Sequence, residues 1–340
     1  MEGIKRMKSE NYYQKCIDRV ESTEQDAVFV ASDFYDITEP GNVSVYLRRI
    51  VNSGRLRRIS RGMYVKPENN SPSADIIARA IARNYSWNIV PCGDTALYES
   101  GITKKKPKIW TYVSEGMYKT YNISGVEIKF YHTDKQNEIA NVSELTALYI
   151  QVLRAYGKRK LSKNIITTLA ENVYMKEKRR MIYETPRITA WVRKGLIRIA
   201  EATNLMTLQR PLEEWELFPD GRNIATQFGY NVRSQSELLI LMHLHMAGLE
   251  FKYEAPKIDK YNLPYWPDLT VKYKGKEYLW EHFGRLNDAK YAEDAKLKIK
   301  WYEANFPGRL ITTNNLSDIG AQINKVMLEK FSFSLRRQGG

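Results

Sequence analysis

Two carboxylates in the C-terminal part of the chain have the type and spacing that a metal-dependent hydrolase needs. Asp268 and Glu281 lie in residues 265–284, YWPDLTVKYKGKEYLWEHFG, where β-branched and aromatic residues flank a Lys274-Gly275 turn. This pattern predicts a β-hairpin with one carboxylate near each open end. Two carboxylates on neighbouring strands can converge on one Mg²⁺ or Mn²⁺ ion, which prefers oxygen ligands and keeps several waters.

The chemistry that such a site supports is phosphodiester hydrolysis. A divalent ion lowers the pKa of a bound water and neutralises charge on the phosphate. A basic side chain nearby would orient or deprotonate that water. The alternative is that the two acids are ordinary charges at strand ends, in which case the hairpin has only a structural role.

The elements around the hairpin are predicted to position these side chains. Ser234 and Glu237 form a capping box, which predicts a helix that begins after Ser234 and ends at Gly248. The remaining predicted elements are a strand at residues 251–256, a helix at residues 291–306 and a strand at residues 309–313. The order is therefore helix, strand, hairpin, helix, strand.

This arrangement resembles the PD-(D/E)XK nuclease superfamily, whose fold is restriction-endonuclease-like, over residues 228–320. The matching positions are, in chain order, Glu237, Pro267-Asp268 and Glu281. The resemblance implies an Mg²⁺-dependent phosphodiesterase in which Asp268, Glu281 and Glu237 hold the metal. Glu237 is equally well explained as a capping residue alone.

One position departs from the family pattern. The family has a lysine two residues after the second acid, and this chain has Phe283 there. Lys298 on the following helix and His282 are two candidates for the displaced basic role. Since side chains alternate along a strand, His282 should face away from the site if Glu281 faces into it, unless the strand bulges.

The positive charge of the chain is concentrated away from the hairpin. The net charge is +14, and residues 1–200 hold 34 Lys and Arg against 21 Asp and Glu. Residues 41–67 contain no acidic residue at all. A basic half joined to a near-neutral half indicates a nucleic-acid-binding module joined to another domain.

The acid-free run has the pattern of a winged helix-turn-helix. Apolar residues at Val43, Leu47 and Ile50 predict a helix that Gly54 ends, and a hairpin with a turn at Gly62 follows. Such a helix enters the major groove of double-stranded DNA while the wing contacts phosphates. The residues predicted to contact DNA are Asn42, Ser44, Arg48, Arg49, Arg55, Arg57, Arg58 and Arg61. A winged helix that binds protein instead remains the alternative.

Residues 15–200 resemble the AbiE-type antitoxin and transcriptional-regulator family. RRISRGMYVKP in the wing and GDTALYESGIT in the following helix carry the resemblance. It implies a winged helix that binds operator DNA. Together with the nuclease resemblance, it implies a prokaryotic or mobile-element defence or conflict setting, with other proteins of such a system as further partners.

The predicted fold class is mixed α/β (α+β) in three domains. They are a winged helix-turn-helix at residues 1–70, a mixed α/β domain at 71–210 and a nuclease-like domain at 211–340 with a central mixed sheet flanked by helices.

Composition excludes other classes. No run of eighteen apolar residues exists, so no membrane partner is expected. Cys16 and Cys92 do not make a disulfide framework, and a cytoplasmic protein is expected. The expected function is a metal-dependent DNA endonuclease, although RNA as substrate fits the hairpin equally well. The alternative is a non-enzymatic DNA-binding repressor or antitoxin with a degenerate nuclease fold.

Overall fold

A computed structural model describes residues 2–69, 71–173, 175–202, 221–261 and 263–333. The chain divides into two compact units, one of Met1–Ser162 with Arg187–Gly195, and one of Lys163–Pro186 with Leu196–Gly340. Within the described residues, no helix combines the length and apolar character needed to cross a membrane.

The first unit is built from helices and two small sheets. Its elements are α1 Glu2–Ser22, β1 Val28–Val30, a 3₁₀ helix Ala31–Phe34, α2 Pro40–Asn52, β2 Arg57–Ser60, β3 Met63–Val65, α3 Ala74–Tyr85, β4 Ile89–Pro91, α4 Gly93–Glu99, β5 Trp110–Ser114, β6 Lys119–Ile123, β7 Val126–His132, α5 Gln136–Ile139, α6 Glu144–Tyr156 and a second 3₁₀ helix Lys158–Lys160.

The acid-free run at residues 41–67, called the basic segment below, forms the predicted helix and hairpin. α2 begins at Pro40, since proline is tolerated in the first helical turn, where its missing N–H has no partner to lose. Gly54 follows the helix with φ +74°, the left-handed conformation predicted for it. β2 and β3 pair antiparallel around Gly62, and β1 adds to β3, giving the order β1-β3-β2.

The apolar face of α2 is buried in a local core. Val43, Leu47 and Ile50 pack there with Phe34, and Tyr46 joins them, so its side chain is part of the core. Ser32 lies inside the 3₁₀ helix Ala31–Phe34, whose N-cap residue is Val30.

The remaining part of the first unit surrounds a mixed four-stranded sheet in the order β4-β5-β7-β6. β5 and β7 are parallel, and the two outer pairs are antiparallel. Tyr112, Ile128 and Phe130 on this sheet share one core with Ile77 of α3 and with Val65 of β3. The hairpin segment is therefore continuous with the core of the neighbouring sheet.

The second unit contains the predicted carboxylates. Its elements are α7 Lys163–Glu171, α8 Met175–Tyr183, the end of α9 Ala190–Glu201, β8 Ile224–Ala225, β9 Asn231–Val232, α10 Gln235–Met246, β10 Glu250–Tyr253, β11 Lys257–Ile258, β12 Pro264–Tyr265, β13 Leu269–Tyr273, β14 Lys276–Phe283, α11 Ala289–Asn305, β15 Leu310–Asn314 and α12 Ile319–Phe331. α9 begins in the first unit.

A mixed sheet in the order β10-β13-β14-β15 organises this unit. β13 and β14 form the predicted hairpin, and Lys274 and Gly275 both have positive φ, as a tight two-residue turn requires. β15 runs parallel to β14. Trp280 is buried with residues of α10 and α12, whereas Leu279 is buried with Trp301 and Tyr302 of α11. Helices thus cover both faces of the sheet, and the mixed α/β class is confirmed.

The division into units differs from the three predicted domains. Residues 163–186 belong with the C-terminal sheet, and Arg180 of α8 forms an ion pair with Asp294 of α11 at 2.9 Å. The predicted boundary between residues 210 and 211 lies outside the described residues. The domain limits 1–70, 71–210 and 211–340 therefore stay a prediction.

Candidate active site

Asp268 and Glu281 meet across the open end of the β13–β14 hairpin. Leu269 pairs with Trp280 in the antiparallel register, so the next position outward brings Asp268 opposite Glu281. Facing residues of an antiparallel pair project to the same side of the sheet. Both carboxylates are buried, Glu281 completely, and they lie close enough to interact directly.

Asp268 is held by two donors. Its Oδ2 accepts a hydrogen bond from the backbone N–H of His282 at 2.7 Å, and its Oδ1 accepts one from Arg233 at 3.1 Å. Burial raises the pKa of Asp268 to about 7, and the neighbouring acid Glu237 adds to the shift, against the opposing effects of the His282 N–H and Arg233. A carboxyl with this pKa is only partly ionised near neutral pH even beside Arg233, and a bound metal ion would favour its ionised form.

Glu281 contacts two side chains of α11. Lys298 Nζ lies 2.6 Å from Glu281 Oε2, and the Tyr302 hydroxyl donates to Oε1. The pKa of Glu281 is raised well above its usual value, mainly by burial and secondly by repulsion from Asp268. Burial and the adjacent Glu281 also raise the pKa of Tyr302, so the phenol remains a donor. α11 therefore brings both a cation and a hydroxyl to the second predicted acid.

His282 faces the other side of the sheet. Its Nδ1 lies 3.0 Å from Thr313 Oγ1, and its Nε2 lies 2.9 Å from Asn315 Oδ1. Burial lowers the pKa of the imidazole, which favours the neutral ring. Strand alternation thus directs the ring away from Glu281, and only the His282 backbone contributes to the carboxylate pair.

Glu237 lies near the pair but is engaged elsewhere. Ser234 caps α10 as predicted, since its hydroxyl accepts from the Glu237 N–H at 3.1 Å. In a capping box, the Glu237 carboxylate would accept from the backbone N–H of Ser234. Here it accepts instead from the Arg233 N–H, one residue earlier, and from the Tyr253 hydroxyl. Glu237 is therefore both a cap residue and a member of a larger acidic cluster.

Arg233 lies among these acids, and no sequence motif points to it. Its Nη2 lies 2.9 Å from Glu254 Oε1, 3.1 Å from Asp268 Oδ1 and 3.9 Å from Glu237 Oε1. Arg222 also pairs with Glu254, which is almost fully buried. Arg233 and Glu237 are only four residues apart, but Glu254 and Asp268 are distant from Arg233 in the sequence. Neither spacing nor periodicity could identify these distant contacts.

The donor set fits a divalent ion held by two carboxylates. Burial and repulsion raise the pKa values of Asp268 and Glu281, and a bound cation would offset both effects. Mg²⁺ commonly uses one or two carboxylates and completes its shell with water. Across the described ranges, however, no three His, Cys, Asp or Glu side chains lie close enough together to hold a metal ion. Glu237 is therefore not placed as a third ligand beside Asp268 and Glu281.

The predicted DNA-contacting side chains are all exposed. They are Asn42, Ser44, Arg48 and Arg49 on α2 and Arg55, Arg57, Arg58 and Arg61 in and around the hairpin. Arg49 stacks on Tyr13 at 4.0 Å from the ring centroid, and Arg55 lies 3.3 Å from Glu21. These contacts hold arginines at the surface, where their positive charge is accessible.

Comparison with known proteins gives limited similarity. Residues 15–182 match the profile of a family described as a family of unknown function (DUF6088), a range that contains the basic segment and most of α8. A stretch of 78 residues is 33% identical to an uncharacterized protein, MJ1519, of Methanocaldococcus jannaschii. This stretch covers 23% of the present chain and 6% of that relative. The chain thus spans only a small part of the relative's length.

Proposed function

We propose that this chain is a divalent-metal-dependent nuclease whose C-terminal unit cleaves a phosphodiester bond of DNA. One observation carries the proposal: Asp268 and Glu281 face each other on paired strands, and Lys298 from the next helix reaches Glu281 at 2.6 Å. Two acids and one lysine therefore lie together, although position 283, where the nuclease family has its lysine, is Phe283. The chemistry of the set is that of phosphodiester hydrolysis.

The protein groups have separate roles in this proposal. Asp268 and Glu281 would hold Mg²⁺ or Mn²⁺, and the bound ion would lower the pKa of water and neutralise phosphate charge. Lys298 orients the attacking water and stabilises negative charge that develops on the phosphate. The Tyr302 hydroxyl and the His282 backbone N–H fix the carboxylates that they contact.

The first unit supplies DNA affinity in the proposal. An acid-free helix and hairpin with exposed arginines present the charge pattern that neutralises backbone phosphates. Sequence readout would come from the exposed polar side chains of α2, such as Asn42 and Ser44.

The test is cleavage of supercoiled plasmid by the full-length chain with Mg²⁺ or Mn²⁺, with a chelator as the negative control. Glu281→Gln should abolish nicking while DNA binding, measured in a gel shift, is retained. Glu277→Gln is the matched control, because Glu277 lies on the same strand but is half-exposed and pairs with Lys257. Cleavage that survives Glu281→Gln would exclude this site as the active site.

A second candidate function is a DNA-binding repressor or antitoxin with a degenerate nuclease fold. It is favoured by Arg233, whose guanidinium already supplies positive charge to Asp268 and Glu254. In that case the full-length chain would bind DNA without nicking it under any divalent ion, and calorimetry would detect no Mg²⁺ or Mn²⁺ binding that depends on Asp268.

A further inference from the structure

Arg179 on α8 is a half-buried arginine with an unusual set of partners. Its guanidinium lies 4.5 Å from the centroid of the Tyr265 ring and donates to the backbone oxygen of Pro264. Within the described part of the chain, it forms no ion pair with a carboxylate. The adjacent Arg180 differs, since acidic side chains surround it, including Asp294 at 2.9 Å.

The Tyr265 ring joins Arg179 to the candidate active site. Lys298 Nζ lies 5.0 Å from the centroid of the same ring, and Lys298 contacts Glu281. Tyr302, which donates to Glu281, meets the Tyr265 ring edge-on at 5.4 Å. Arg179 and Lys298 therefore share one aromatic side chain beside the carboxylate pair.

Burial makes the Arg179 charge costly unless an anion is bound. It lowers the pKa of Arg179 to about 10, and attraction to Asp259, Tyr302 and Glu281 offsets this only in part. A guanidinium has five N–H donors, and the single backbone acceptor uses few of them. Its planar fork matches two oxygens of a phosphate, which makes phosphate the anion best suited to this position.

We propose that Arg179 binds a phosphate of the nucleic-acid strand, at or next to the phosphodiester that the Asp268–Glu281 site cleaves. The assignment rests on the proposed nuclease function for the identity of its ligand. It gives α8, which lies outside the helix–strand–hairpin–helix–strand set around the acids, a direct part in substrate binding. Arg179 is a substrate-binding residue in this scheme, and Tyr265 positions it.

The experiment measures binding of thymidine 3′,5′-bisphosphate to the full-length chain by calorimetry, with Ca²⁺ in place of Mg²⁺. Arg179→Gln should weaken binding by about tenfold to a hundredfold, since it removes a charge-assisted hydrogen-bond donor. Arg179→Lys should weaken it by about tenfold, because an ammonium keeps the charge and the Pro264 contact but loses the planar fork. Lys325→Gln, which removes a charge from the exposed face of α12, should leave binding unchanged.

The outcomes separate this inference from the proposed function. If Arg179→Lys keeps the melting temperature of the wild type but loses affinity, the phosphate contact is supported. If wild type binds the bisphosphate through Arg179 yet never cleaves DNA, the inference stands and the nuclease proposal fails. If both Arg179 variants bind as wild type, or wild type itself does not bind the bisphosphate, the inference is overturned.

Discussion

Lys298 Nζ lies 2.6 Å from Glu281 Oε2, although the two residues are separated by the end of β14, a loop and more than two turns of α11. The Tyr302 hydroxyl contacts the other oxygen of the same carboxylate. Because Lys298 and Tyr302 are four residues apart on one helix, they project from the same face. α11 thus provides a lysine at Glu281, whereas position 283 of β14 is occupied by Phe283.

Substitution of Lys298 should reduce cleavage far more than substitution of His282. Lys298→Ala removes the cation beside Glu281, and loss of a group of this kind typically costs about two to four orders of magnitude in rate. His282→Ala leaves the backbone N–H that holds Asp268, so its rate should stay within about tenfold of wild type. Single-turnover cleavage of a labelled duplex measures both. A larger loss in His282→Ala would reverse the assignment.

Arg233 should stabilise the metal-free chain and compete with a divalent ion for Asp268. Arg233→Gln leaves the buried Asp268 without this cation, whereas Glu254 keeps Arg222. Breaking a buried ion pair costs about 3–5 kcal/mol, and the cost is lower here because Arg233 is partly exposed. Its melting temperature should fall without metal and recover with Mg²⁺ more than that of wild type. Arg285→Gln is the control, since Arg285 is well exposed and pairs with Asp288 at the surface. Equal Mg²⁺ responses in wild type and Arg233→Gln would argue against competition.

The metal-free chain should lose stability as pH rises toward neutrality. Burial raises the pKa of Asp268 from 3.8 to about 7, so between these values the folded state retains a proton that the unfolded state has lost. The free energy of unfolding then falls with rising pH, by at most ~1.4 kcal/mol per pH unit for this group. Denaturant titrations with a chelator present test this between about pH 4.5 and 7, the pH range in which the linkage operates. Asp268→Asn cannot titrate, and a slope as steep as that of wild type would contradict the assignment.

DNA binding by the basic segment should depend steeply on salt. Each phosphate neutralised contributes about −0.9 to the slope of log K against log salt for duplex DNA. Arg48→Gln and Arg61→Gln should each make the slope shallower by about that amount if each arginine contacts one phosphate. Fluorescence anisotropy with the full-length chain measures the slope, and Lys325→Gln in the other unit serves as the charge-matched control. Slopes that do not change in either arginine variant would place the DNA interface elsewhere.

The sequence by itself determined the local elements. Alternating β-branched residues and the Lys274-Gly275 turn predicted the β13–β14 hairpin, and it forms with the predicted turn. The apolar spacing of α2 and the Ser234 cap of α10 were also readable, because helix and strand periods and caps depend on neighbours in the chain. The opposition of Asp268 and Glu281 followed from the hairpin register.

The tertiary structure decided which side chains share the site. Packing of α11 on the Leu279 face of the sheet brings Lys298 and Tyr302 to Glu281, whereas strand alternation turns His282 away. The entry of Arg233 and Glu254 into the acid cluster and the assignment of α8 to the second unit depend on contacts between distant segments. Such contacts follow from how faces are buried against each other, which leaves no periodic signal in the sequence.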